Sequence, residues 1–336
     1  MAIPDAYSCG GFRVRAKWML TIVTVALSGT LAVAQGRQRL NPIIELLEQQ
    51  KPIFGLYAPG IRRPPGAAAT TETPKTPTQL AELALSYAPA DYVFDGSMEG
   101  NFDSGYATFA DFAKGMFEAG ALQKSPPLRL HHPLMVKTPE IAPDLASARE
   151  RISKQLNLGV SGIVFVGVES ADEVAQGLGM MRFASRGGTR PENVGGAPAV
   201  WGMSDKGYKE KADLWPLNPS GELVNWTIVE SKEGLAHVRE IAAVKGIGVL
   251  FPGAGTLRGV FSSTDAGGKR VLDEVAWEGA IQQVLAACKE FRVACGYPAN
   301  EHDIEKRMQQ GFSVFVIGWG EAGFRTVELG RRLAGR

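Results

Sequence analysis

The residues of this chain able to do chemistry are few and of mixed type. Asp95 with Glu99, Arg129 with His131 and His132, Gly167, Glu230, the run Gly253, Ala254, Gly255 and Thr256, Gly296 with Tyr297, and Trp319 all stand at or just beyond the ends of short apolar runs. Carboxylates, a guanidinium, imidazoles and a bare turn of backbone amides together describe a site for a metal ion and a small anionic molecule. The turn is the least ordinary part. In GAGTLRG, Arg258 stands where a G-x-G-x-x-G pattern needs its third glycine, and the Gly-Lys-Ser/Thr of a P-loop is absent. A nucleotide cradle is therefore excluded, although open N–H groups there can still hold a carboxylate or a phosphate. The alternative is a tight turn that needs only a left-handed backbone.

The elements that must position these residues alternate in type. Candidate strands are PIFGLY (52–57), DYVFD (91–95), PLRLH (127–131), GIVFV (162–166), LVNWTIVE (223–230), IGVLFP (247–252), FRVACG (291–296) and SVFVIG (313–318). Between most of them lie helical stretches such as TQLAELALSY, FADFAKGMFEAG, LASARERISKQLNLG and AWEGAIQQVLAACKE, several ending on a glycine. Strands apolar on both faces and separated by helices belong to a parallel sheet that is covered all round. Eight such units predict an α/β fold, a single-domain (β/α)8 TIM barrel whose chemistry sits at the carboxyl ends of the strands. A doubly wound open sheet would carry a glycine fingerprint after its first strand, which this chain lacks.

Composition narrows the partners. The chain has 336 residues, formal net charge +1 and 45% hydrophobic residues, enough for a large core, and no basic block runs through its body. Nucleic acid is not an expected partner. At the start, Arg13, Arg15 and Lys17 precede the apolar run WMLTIVTVALSGTLAVA, which closes on Ala32-Val33-Ala34 before Gln35. This predicts an export signal over residues 1–34, cleaved after Ala34, and a periplasmic or secreted body, residues 35–336; left uncleaved, the same run is a membrane anchor. Two insertions, about 58–78 and 186–222, interrupt the barrel and are expected at its upper rim as lids, subunit contacts or decoration. Trp201, Trp215, Trp226 and Tyr208 are expected to fill the second insertion's own small core or a subunit contact. Cys288 and Cys295 read as two buried free thiols, and no zinc spacing occurs.

The segment NWTIVESKEGLAHVREIAAVKGIGVLFPGAGTLRG resembles the signature of the HpcH/HpaI aldolase and citrate lyase family, with a strand ending in glutamate, a helix, a second strand and a small-residue loop. DYVFDGSMEGNFD is similar to the family's Asp-x-x-Glu-His stretch, and GVSGIVFVGVESADEVAQGLGMMRFASRGGTR and CGYPANEHDIEKRMQQGFSVFVIGWG resemble its fourth and closing units. The likeness runs from about residue 41 to 332. It implies a metal-dependent, class II carbon–carbon lyase (aldolase) acting on a 4-hydroxy-2-oxo acid or related pyruvate-derived carboxylate through an enolate, with Mg, Mn or Co as cofactor and a homo-oligomeric state. Carried over, Glu230 matches the metal-binding glutamate and Arg129 the enolate-stabilising arginine. Gly253, Ala254 and Gly255 match the loop that offers amides to the carboxylate, and Asp95 the residue that orients the base.

Two departures bear on the chemistry. Thr256 stands where the family has an aspartate that is the second metal ligand, and Gly100 follows Glu99 where the family has its histidine base. A hydroxyl is a weak replacement for a carboxylate on a hard divalent ion, and glycine moves no proton. Three readings stay open: a lyase with a rebuilt site, in which His131 or His132 supplies a ligand or base with Glu99 or Asp95 assisting; a catalytically depleted barrel that binds a small carboxylate as an exported sensor or carrier; and a structural protein on an old enzyme scaffold.

Overall fold

The computed structural model describes residues 38–60 and 74–336. The predicted export signal and most of the first insertion lie outside the described residues. Eight parallel strands form the centre: β1 (Ile53–Tyr57), β2 (Tyr92–Asp95), β3 (Leu134–Lys137), β4 (Gly162–Phe165), β5 (Leu223–Val229), β6 (Ile247–Pro252), β7 (Ala294–Ala299) and β8 (Val314–Ile317). Each pairs with its sequence neighbours, β8 pairs with β1, and the β4–β5 ladder closes the ring. The result is the expected (β/α)8 barrel.

Period-two alternation divides the strand residues between two cores. Tyr92, Phe94, Met135, Val164, Val224, Trp226, Ile228, Val249, Phe251, Val314 and Val316 point inward and fill the cylinder. The intervening residues pack outward under the helices. Gly296 is required by this filling, because a Cβ there would lie 2.0 Å from the Phe251 ring. The lower, amino-terminal end is plugged by α1 (Pro42–Glu48), which begins at an Asn41 cap and a Pro42 with no N–H to satisfy. Its Ile43, Ile44 and Leu47 share one face and seal the barrel floor.

Four sequence expectations need correction. Residues 127–131 are not the third barrel strand; Arg129–Leu130 pairs antiparallel with Leu122–Gln123, and the barrel position is taken by β3, a few residues on. A strand covered on both faces must be apolar on both. Leu134, Met135 and Val136 meet that condition, whereas Arg129 and His131 do not. The seventh strand lies later than expected, over Ala294–Ala299, because the preceding helix Glu274–Phe291 runs through Phe291.

The second insertion, residues 186–222, follows the helix Ala171–Met181 and precedes β5, so it lies at the amino-terminal end of the barrel and not at the upper rim. Trp201 donates to the carbonyl of Gly159 at 2.9 Å and Tyr208 to that of Leu156 at 3.1 Å, just ahead of β4. Trp201 and Tyr208 are fully buried there, as a small local core, while Trp226 belongs to the barrel interior. Finally, Cys288 and Cys295 form a disulfide between the helix Glu274–Phe291 and β7, their Cα atoms 5.6 Å apart.

Candidate active site

The carboxyl ends of the strands surround a cavity of about 190 Å³. Phe94, Trp226 and Phe251 are its floor, with Trp226 and Phe251 stacked at 5.2 Å. Tyr57 from the end of β1, Lys137 from the end of β3, Glu230 just past β5, and Gly253, Ala254, Gly255 and Thr256 past β6 form its walls. A wider depression of about 790 Å³ lies at the amino-terminal end, but Lys51, Lys245 and Arg292 are its only charged lining residues and it holds no acid or imidazole. Chemistry, not size, therefore selects the smaller cavity.

Glu230 is the one acid among the described residues that line the cavity. The peptide N–H of Gly167, just after β4, donates to its Oε1 at 2.9 Å. Gly167 turns with φ +59°, and a side chain there would also press on Glu140. Gly253 fixes the other side of the carboxylate: a Cβ would lie 2.4 Å from Glu230 Cβ and 2.5 Å from its Oε2. The same glycine opens the helix Ala254–Val260 without a side-chain cap, so the first amides of that turn carry no side-chain partner. Gly253→Ala is expected to push the carboxylate aside, lowering activity by about 10²-fold while circular dichroism and the melting profile change little.

The cavity also carries a cation that the sequence did not single out. Lys137 Nζ donates to both carboxylate oxygens of Glu99 at 2.9 Å, and Gln155 Nε2 holds the Lys137 carbonyl at 2.8 Å. The lysine side chain is 14% exposed and that of Glu99 36%, so the pair is shielded mainly on the lysine's side. A Cβ on Gly96 would lie within 4 Å of Lys137, Glu99 and Tyr57 together, which marks the point where the three converge. Burial raises the Tyr57 phenol above its ordinary pKa; Lys137 opposes the shift, and Glu99, Asp95 and Glu230 reinforce it. Tyr57 therefore carries its proton at neutral pH. Asp95 is buried and accepts from the Ser97 N–H at 2.9 Å and hydroxyl at 2.6 Å.

The residues expected around the third strand do not join this group. Arg129 pairs with Glu45 of α1 at 2.5 Å, on the amino-terminal side of β3. His132 is buried with Nε2 3.0 Å from the Tyr87 carbonyl, and burial pushes its pKa down, keeping it neutral. His131 is exposed and its amide donates to the Ala121 carbonyl. None of the three lines the cavity. Arg129→Met is thus expected to leave steady-state rates within about twofold, the loss of a half-exposed ion pair costing roughly 1 kcal/mol or less in a melt.

The divalent cation implied by resemblance meets a poor donor set. Glu230 supplies one carboxylate, Thr256 a neutral hydroxyl, and Lys137 a competing positive charge on the same cavity. Among the described residues no three His, Cys, Asp or Glu side chains come together so as to hold a metal ion. Glu230 thus offers a Mg, Mn or Co ion one anionic protein ligand beside the Lys137 ammonium, a poorer fit than the two carboxylates that the resemblance implies.

An acid, an ammonium and bare amides thus stand at the carboxyl mouth of a closed parallel barrel, the end at which such barrels carry their sites. A profile of the HpcH/HpaI aldolase/citrate lyase family matches residues 124–323, and the chain belongs to that family. It is 24% identical over 290 residues to a hydroxypyruvate/pyruvate aldolase of Paraburkholderia phytofirmans, covering 86% of this chain and 90% of that one. Among solved structures, an HpcH/HpaI aldolase/citrate lyase family protein from Burkholderia cenocepacia J2315 superposes with a TM-score of 0.61 at 20% identity, over 88% of this chain and 97% of the other. An HpcH/HpaI aldolase from Desulfitobacterium hafniense DCB-2 does so with a TM-score of 0.58 at 13% identity, over 87% and 95%.

Proposed function

We propose that this chain is a carbon–carbon lyase that cleaves a 4-hydroxy-2-oxo acid to pyruvate and an aldehyde. The observation that carries the reading is Glu230, fixed by the Gly167 amide and packed against Gly253, on a cavity that Lys137 also lines. The aldolase relative's name and the family point the same way. In the cleavage step the C4 hydroxyl gives its proton to the Glu230 carboxylate as C4=O forms. The C3–C4 bond breaks, its electron pair becomes the C2=C3 bond, and the carbonyl pair moves onto the C2 oxygen as an enolate. Glu230 then returns the proton to C3, giving pyruvate. Asp95 and Glu99 are engaged by Ser97 and Lys137, which leaves Glu230 as the proton carrier. The bare turn from Gly253 to Thr256 receives the substrate carboxylate. Pyruvate release measured with a coupled lactate dehydrogenase tests this: turnover of a 4-hydroxy-2-oxo acid is expected, and its absence across a panel of such acids contradicts it.

A second reading, a carboxylate-binding protein without turnover, is favoured by Gly100, which places no imidazole beside Glu99. The same assay separates them, since a binder takes up pyruvate and releases none. Export to an oxidising compartment is part of the proposal. The arginine-led apolar run before Gln35 and the Cys288–Cys295 disulfide both support it. Amino-terminal sequencing of the mature protein is expected to begin at Gln35, and retention of Met1 overturns cleavage.

A further inference from the structure

We infer that Lys137 supplies the positive charge that the enolate requires, so that ligand binding and cleavage at this site need no divalent cation. The inference rests on the lyase reading for its cleavage arm, and its binding arm stands apart from it. An enolate forming at the C2 oxygen needs a fixed positive charge or a set of donors within reach. One acid, Glu230, lines the cavity, and the neighbouring position is Thr256, which leaves a divalent ion a single anionic protein ligand. A cation is already in place. Lys137 stands at the end of β3, on the cavity that Glu230 lines, with its ammonium donating to both oxygens of Glu99. That pairing engages the ammonium with one carboxylate. An ammonium carries three N–H groups, so a donor remains for an oxygen entering the cavity.

Tyr57 completes the arrangement. Its ring edge comes within 4 Å of a Cβ on Gly96, beside Lys137 and Glu99, and its phenol, raised in pKa, is a neutral donor on the same cavity. Glu99 touches neither substrate nor reacting atoms; it is a positioning residue that aims the ammonium. The lysine acts through its charge and not through a covalent bond.

The test is calorimetric titration of oxalate and pyruvate into the full-length mature protein after exhaustive chelation, run beside cleavage assays with and without EDTA. Oxalate is expected to bind the metal-stripped protein with an affinity unchanged within about twofold by EDTA. Lys137→Met is expected to weaken it roughly 30-fold or more, whereas Lys137→Arg stays within about fivefold, since it retains the charge. Glu99→Gln is expected to raise KM more than it lowers kcat, the signature of a misaimed ligand contact. Oxalate binding that appears only with added Mn2+, or that is indifferent to Lys137→Met, overturns the inference. So does a covalent adduct on Lys137 after borohydride treatment with pyruvate. Metal-free oxalate binding dependent on Lys137 but with no cleavage of any hydroxy acid leaves the inference standing and defeats the lyase reading instead.

Discussion

Glu230→Gln lowers kcat for cleavage by about 10²–10³-fold, the size expected when a positioned proton carrier is lost. The amide side chain has nearly the shape of the acid. The Gly167 N–H still finds an oxygen, and Gly253 still packs against the Cβ, so the fold and the cavity volume are retained. KM is expected to change little, because on the proposed reading the turn takes the substrate carboxylate and Lys137 its C2 oxygen, and neither contact is lost. Steady-state kinetics on the variant, with a melting curve to confirm folding, reads both effects. A variant with wild-type kcat removes Glu230 from the chemistry.

Arg307→Met produces the largest loss of stability. Arg307 is almost fully buried, donating to both oxygens of Glu278 at 2.6 and 2.8 Å and to the Tyr297 hydroxyl at 3.1 Å, with its guanidinium over the Tyr297 ring at 4.3 Å. It ties the helix Ile304–Gln310 to the helix Glu274–Phe291 and to β7. Removing Arg307 leaves the part-exposed Glu278 to Lys306 and Gln282 and the Tyr297 hydroxyl without its donor, at a cost of about 1–3 kcal/mol, a few degrees in Tm. The same pair sets an acid limit. Arg307 first, with Gln282 and Lys306 assisting against burial, holds the Glu278 carboxyl down to about 2 from 4.5. A depressed folded-state pKa contributes stability in full above the unfolded value, and that contribution fades as pH falls from about 4.5 toward 2. Urea denaturation as a function of pH is expected to show this loss in the wild type and to show it flattened in the Arg307→Met variant.

Much of the barrel was legible because its strands are apolar on both faces. LVNWTIVE and IGVLFP form β5 and β6 at almost the expected bounds, and each leads into the glutamate or the bare turn that the sequence marks. The third strand was hidden for a physical reason. Four residues, Leu-Met-Val-Lys, are too short to stand out beside the longer PLRLH, from which only His132 and Pro133 separate them. That single displacement carried Arg129, His131 and His132 to the wrong end of the barrel and concealed Lys137. The rule that inward and outward positions alternate and that chemistry follows the last strand residue finds Lys137 and Tyr57 once the strand is placed. The second insertion was misplaced because connection order decides the end of the barrel: a segment after a helix and before a strand lies at the amino-terminal side, however lid-like its composition. The Cys288–Cys295 bridge depends on how the helix Glu274–Phe291 turns into β7, a geometry that seven residues of spacing do not reveal.

A structure of the metal-stripped protein soaked with oxalate measures the central claim most directly. Planar density between Lys137 and the Gly253 turn, with one oxygen in hydrogen-bond reach of Lys137 Nζ and another on the turn amides, is expected. Oxalate bound elsewhere, or a cavity closed by the Trp226 and Phe251 rings with Lys137 turned to solvent, contradicts it.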